Sequence, residues 1–157
     1  MIKRLPTLLL ITLIFTLVIS PKILEANGKW LITPEEIQQI QRRGSPLKQP
    51  LSIREGPGPA IVLENPKMLE SVKSPVDILL IFKPGTSGKP PNMTSLNVRL
   101  IGFIDIDITD RVLEYVHQSK LDISDTNLPV GEHEIGVYIK DVDGNPNERV
   151  ISVNVIP

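Results

Sequence analysis

Asp105, Asp107 and Asp110 are the residues of this chain whose type and spacing come nearest to a ligating site. In a strand, alternation projects Asp105 and Asp107 from one face, which offers oxygen ligands for a calcium ion with Asp110 close behind. Carboxylates that keep a sheet face wet and discourage edge pairing give the same pattern, and that plainer role is the expected one. Asp141, Asp143 and Asn145 look like the opening of a calcium loop, but the loop's sixth-place glycine and twelfth-place glutamate are missing. A hairpin turn at Asp143-Gly144-Asn145 accounts for them.

Nucleophilic catalysis needs a hydroxyl or thiol beside a base, and the chain has two histidines, no cysteine and no Gly-x-Ser-x-Gly elbow. His133 falls on the inward side of a strand, where a hydrogen-bonded structural role is expected, and His117 reads as a solvated loop residue. Neither an enzyme nor a cofactor is expected. The remaining chemistry is adhesion. Trp30, Leu31, Ile32, Ile37 and Ile40 form an apolar cluster ahead of the strands, and a tryptophan beside a short helix can dock into a partner's groove. Its alternative is to fold back on its own domain. A second candidate surface is the glycine- and proline-rich loop 84–92 with Lys83 and Lys89.

The elements that must position these residues begin with a helix. Thr33 can cap it, Pro34 suits the first helical position, and Glu36 stands where a capping box needs it, giving a helix over 34–43 that ends at Gly44. Prolines 46, 50, 57 and 59 with glycines 44, 56 and 58 then break regular structure, so 44–59 reads as linker and 27–59 as an arm.

From Ala60 the period becomes two. Val76, Ile78, Leu80 and Phe82 share one face, and Leu96, Val98, Leu100, Ile104, Ile106 and Ile108 keep one parity around a bend at Gly102. Ile135 to Ile139 and Ile151 to Val155 alternate on either side of the Asp-Gly turn. With 61–63 and 121–123 the count is about seven short strands, the number of a β-sandwich filling 60–157. A helical turn capped by Thr109 or Asp110 is expected to set Val112, Tyr115 and Val116 on one side.

Lys3 and Arg4, the apolar run Leu8 to Ile19 and a more polar tail ending at Ala26 have the layout of a secretory signal over 1–26. The apolar run falls short of the roughly twenty residues of a span, so membrane contact is expected only through an uncleaved signal. Losing 1–26 removes three basic side chains and one acidic, which takes the net charge from −1 to about −3. Such a surface gives nucleic acid little to hold. Without cysteine the domain must be held by packing, which suits a bacterial periplasm or cell surface.

The stretch Leu128-Pro129-Val130-Gly131-Glu132-His133-Glu134-Ile135-Gly136-Val137-Tyr138-Ile139-Lys140-Asp141, followed by Asp143-Gly144-Asn145, resembles the end of many bacterial immunoglobulin-like domains of the fibronectin type III and cadherin-like set. His133 stands where such modules commonly carry a tyrosine. Trp30-Leu31-Ile32-Thr33-Pro34-Glu35-Glu36 just after the signal also looks like exported bacterial proteins with such a domain. The resemblance implies an all-β, immunoglobulin-like sandwich and no particular activity. The expected function is non-catalytic: an exported module that binds a protein or cell-envelope partner, with a saccharide-binding domain or a calcium-stabilised spacer as the alternatives.

Overall fold

The computed structural model describes residues 29–42, 56–67, 70–102 and 104–157, so the expected signal and most of the expected linker lie outside the described residues. The architecture is all-β with two sheets. The strands are β1 (Ala60–Asn65), β2 (Ser71–Lys73), β3 (Val76–Lys83), β4 (Pro91–Leu100), β5 (Ile106–Asp107), β6 (Val116–His117), β7 (Lys120–Thr126), β8 (Gly131–Asp141) and β9 (Pro146–Ile156). Helix α1 (Pro34–Arg42) precedes them, and α2 (Thr109–Val112) leads through a 3-10 turn at Leu113–Tyr115 into β6.

One sheet has the order β1-β3-β7-β6 and the other β2-β9-β8-β4-β5. Neighbours are antiparallel except β2, which lies parallel to the end of β9. The period-two residues face inward as the pattern requires: Val76, Ile78, Leu80 and Phe82 of β3 meet Ile135, Val137 and Ile139 of β8 in one buried cluster with Val98, Leu100, Leu121, Ile123 and Val153. The strands missing from the sequence reading, β2 and β6, are three and two residues long. Runs that short carry no alternation to detect.

The single parity expected from Leu96 to Ile108 breaks after Leu100. Ile106 and Ile108 return to the interior, but Ile104 is 52% exposed, because β5 lies antiparallel against β4 and the chain has reversed between them. Gly102 does more than bend. A Cβ there would lie 2.8 Å from Ile40, so its bare backbone is what admits α1. The loop expected over 84–92 is shorter, since β4 begins at Pro91.

The arm is where the structure departs furthest from the sequence reading. Leu31 and Ile32 are buried in the core, Ile32 completely, and Ile37 and Ile40 pack against it. Leu31 N–H donates to Asn127 O at 3.4 Å and Asn127 N–H to Lys29 O at 3.0 Å, a one-residue parallel bridge that lays the segment along the end of β7. The stretch 56–59, expected to be linker, is fastened at the opposite end. Asn147 donates to Pro59 O at 2.8 Å and accepts from Gly56 N–H at 3.2 Å, while Gly58 N–H donates to Pro146 O at 3.3 Å. Both described pieces of the expected arm therefore belong to the folded unit. Burial wins over composition here, since an isoleucine and a leucine left in water forgo roughly 1.5–3 kcal/mol each.

Ile32 acts as a plug for the end of the sandwich. Ile32→Ala is expected to cost about 2–5 kcal/mol, read as a lowered midpoint in denaturant with an unchanged slope. A midpoint equal to wild type would mean that this segment is dispensable to the core.

Candidate functional site

The Lys29–Arg42 segment is held by one carboxylate. Glu36 closes the expected capping box, accepting Thr33 N–H at 2.9 Å while its own N–H donates to Thr33 Oγ1 at 3.3 Å. The same carboxylate takes a fork from Arg111 of α2, Nη1 at 2.9 Å and Nη2 at 2.5 Å, and Nη1 also donates to Leu31 O at 2.9 Å. Bidentate pairing of this kind adds direction to charge. The Arg111 hydrogen bonds hold the Glu36 carboxyl below its ordinary pKa, against an opposing desolvation.

Where this segment meets α2 and β7 there is a groove of about 270 Å³. Leu31 and Ile123 line its apolar side, and Trp30, Tyr115, Lys29, Asp110 and Glu114 bring aromatic and charged groups to it. Trp30 stays 42% exposed although Leu31 beside it is buried. Lys29 places its Nζ 4.9 Å from the centre of the Tyr115 ring and pairs with Glu114. That hydrogen bond to Glu114, with a second donated to Tyr115, raises the lysine's pKa. Tyr115 had been expected only to share a helix face with Val112, and the groove depends on contacts between residues 85 positions apart.

Of the other residues singled out from the sequence, only Leu31 and Asp110 reach this groove. Leu31, Ile37 and Ile40, expected as docking residues, are turned to the core and offer a partner little surface. Lys83 ends β3 exposed, paired in register with Ala60, and Lys89 forms an ion pair with Asp143 at 3.0 Å. Both lie at the far end of the sandwich. The three aspartates do not converge, and no cluster of three acidic or histidine ligands occurs among the described residues. Asp105 pairs with Arg99 at 3.6 Å. Asp107 accepts Asn97 Nδ2 at 2.9 Å and Thr109 N–H at 2.8 Å, and the N-cap position of α2 is Ile108, with no side-chain cap, in place of the expected Thr109 or Asp110. Hydrogen bonding from Thr109 lowers its pKa. Asp110 alone lines the groove.

A larger cavity of about 430 Å³ opens between β1 and β9, lined in part by Leu63, Glu70 and Arg149. Its arginine is committed to the Ile61 carbonyl at 2.6 Å, and among the described residues no aromatic side chain lines it. At the hairpin, Asp141 is buried and accepts Ser87 Oγ at 2.7 Å, Asn145 Nδ2 at 2.8 Å and the N–H groups of Asp143 and Asn145 at 2.9 Å each. The turn is thus a latch that also ties down the 84–90 loop. His133 is buried, with Nε2 2.7 Å from the Pro129 carbonyl, so that nitrogen must carry the proton. No family model, curated protein or solved structure matches this chain.

Desolvation alone would raise the Asp141 pKa, yet its hydrogen bonds from Asn145, Ser87 and Asp143 outweigh that and bring it from 3.8 down to about 2. A carboxyl lowered in the folded state stabilises fully above its unfolded pKa of about 4 and loses that contribution as pH falls through the folded value. Asp141→Asn is therefore expected to melt several degrees below wild type at pH 7, with the gap closing between pH about 4 and about 2. Thermal melts of both proteins across that range check it, and a gap independent of pH would assign the loss to shape alone.

Proposed function

We propose that this chain is a non-catalytic, exported immunoglobulin-like module that binds a protein partner of the bacterial cell envelope through the groove beside Trp30. The strand order supports the fold reading. The sheets β1-β3-β7-β6 and β9-β8-β4 correspond to the strands A, B, E, D and G, F, C of an immunoglobulin sandwich, with β2 and β5 as additions at either edge of the second sheet. The loops and ends of such sandwiches are habitual binding surfaces.

Trp30 carries the functional reading. Its backbone is fixed on both sides by the bonds to Asn127, and its neighbours Leu31 and Ile32 are anchored in the core, yet its ring remains in part in solvent at the lip of a groove. A large aromatic side chain displayed on an ordered backbone loses little conformational freedom on binding, which is the property of an interface hot spot. A non-catalytic role is supported by the histidines: His133 is buried against a carbonyl, and no described hydroxyl bonds to His117. The saccharide alternative asks for a platform of several rings, and among the described residues Trp30 and Tyr115 are the aromatic side chains lining the groove. The calcium-spacer alternative asks for converging ligands, and Asp105 and Asp107 are each engaged elsewhere.

Capture from an envelope extract tests the reading with wild type, Trp30→Ala and Val142→Ser, the last an exposed apolar residue at the opposite end. The expected result is a partner kept by wild type and V142S and bound at least about thirtyfold more weakly by W30A, the loss of one hot spot of about 2 kcal/mol. Equal capture by all three, or loss in V142S alone, would take the binding surface away from the groove.

A further inference from the structure

We infer that the groove receives a lysine ammonium of the partner, and that Lys29 is a built-in occupant which that ammonium displaces. The inference rests on the protein-binding reading above and names the group recognised. Its basis is that an ammonium is already bound. Lys29 Nζ has an aromatic face on one side, 4.9 Å away at Tyr115, and a carboxylate at Glu114. This is the pair of attractions by which proteins hold cationic ligands. Glu114 meets Nζ through a single oxygen, the point-charge geometry of an ammonium and not the fork of a guanidinium.

The occupant is held loosely at its head and firmly at its root. The Lys29 carbonyl accepts Asn127 N–H at 3.0 Å and Thr126 Oγ1 at 3.0 Å, so the backbone is fixed. The side chains of Lys29 and Glu114 are 57% and 54% exposed, and a pair so open to water exchanges readily. The charge balance then asks for one more cation. Arg111 is engaged by Glu36 and by the Leu31 carbonyl, Lys29 answers Glu114, and the Asp110 carboxylate has no hydrogen-bond or ion-pair partner among the described residues. An incoming lysine would meet the Trp30 ring and Asp110 at the groove, and could take the Tyr115 and Glu114 position as Lys29 swings into solvent.

Trp30 is the chain's sole tryptophan, so its fluorescence reports on the groove. The probes are acetylated, amidated hexapeptides of glycine and serine carrying two lysines or two glutamates, with chitotetraose as a neutral saccharide, titrated into wild type, Asp110→Asn and Lys29→Met at low salt. The lysine peptide is expected to give a saturable change that the glutamate peptide does not. Asp110→Asn is expected to weaken it and Lys29→Met to tighten it, each by about three- to tenfold, the scale of one exposed ion pair or cation–π contact. The opposite signs separate displacement from a structural role, since a lysine that merely braced the groove would weaken binding when removed. Absence of saturation, equal response to both peptides, a Lys29→Met variant that does not tighten, or a response to chitotetraose alone would each overturn the inference. If that happens while W30A still abolishes partner capture, the protein-binding reading stands and the ammonium falls. If the titrations succeed while capture is indifferent to Trp30, the reverse holds.

Discussion

The Glu36 carboxylate is the point on which the amino-terminal part of this structure depends. With two oxygens it satisfies an orphan donor at the start of α1 and receives the guanidinium of Arg111, 75 positions along the chain. Neither interaction alone would place the segment. A capping box orders one helical turn but says nothing of where the helix lies, and an ion pair on an unordered chain is worth little in water. Combined in one half-buried group they fix both shape and position, and the Arg111 bond to the Leu31 carbonyl extends the grip to the residue beside the Ile32 plug.

The two ends of the sandwich are closed by different physics. At one end the closure is apolar: Ile32 enters the core and Ile40 lies on the bare backbone of Gly102. The other end is polar, where buried Asp141 gathers the hairpin and Ser87, and Asn147 laces in the stretch 56–59. A chain without cysteine cannot staple its ends covalently, so side chains must supply what a disulfide would. An acidic latch and a carboxylate clamp together tie this stability to the ionised state of carboxyl groups. Three of the four edges are short as well, since β2 has three residues and β5 and β6 two each and offer little backbone to an unwanted strand.

What was legible in the sequence was local or periodic. Thr33 and Glu36 are three residues apart and their pairing follows from helix geometry, while the inward faces of β3, β8 and β9 follow from alternation. Hidden features needed contacts across the fold. Leu31 and Ile32 precede a helix in a stretch too short to show a period, and Gly56, Pro57, Gly58 and Pro59 look the same in a linker as in a stretch fastened to a domain. Asp141 reads in the sequence only as part of a hairpin turn, because the hydrogen bonds that make its burial tolerable come in part from Ser87, 54 positions away. Ile104 kept the parity of its neighbours on paper, but the chain reverses between β4 and β5 and parity does not survive a reversal. Of the candidate site, Trp30 and Asp110 were noticed separately. Their meeting through Lys29, Glu114 and Tyr115 depends on where β7 ends, and spacing along the chain does not encode that.

Burial of Leu31 and Ile32 and exposure of Trp30 are two sides of one constraint. The parallel bridge to Asn127 sets the backbone at residue 30, so the side chains that follow go to the core and the tryptophan is left at the groove. Were the segment loose, the ring would be expected to find apolar cover, since it is the chain's largest side chain and its burial is strongly favourable. The folding energy of the plug therefore holds the indole where the solvent meets it. In this way residues buried in the core shape the groove, and the cost of ordering it is met during folding.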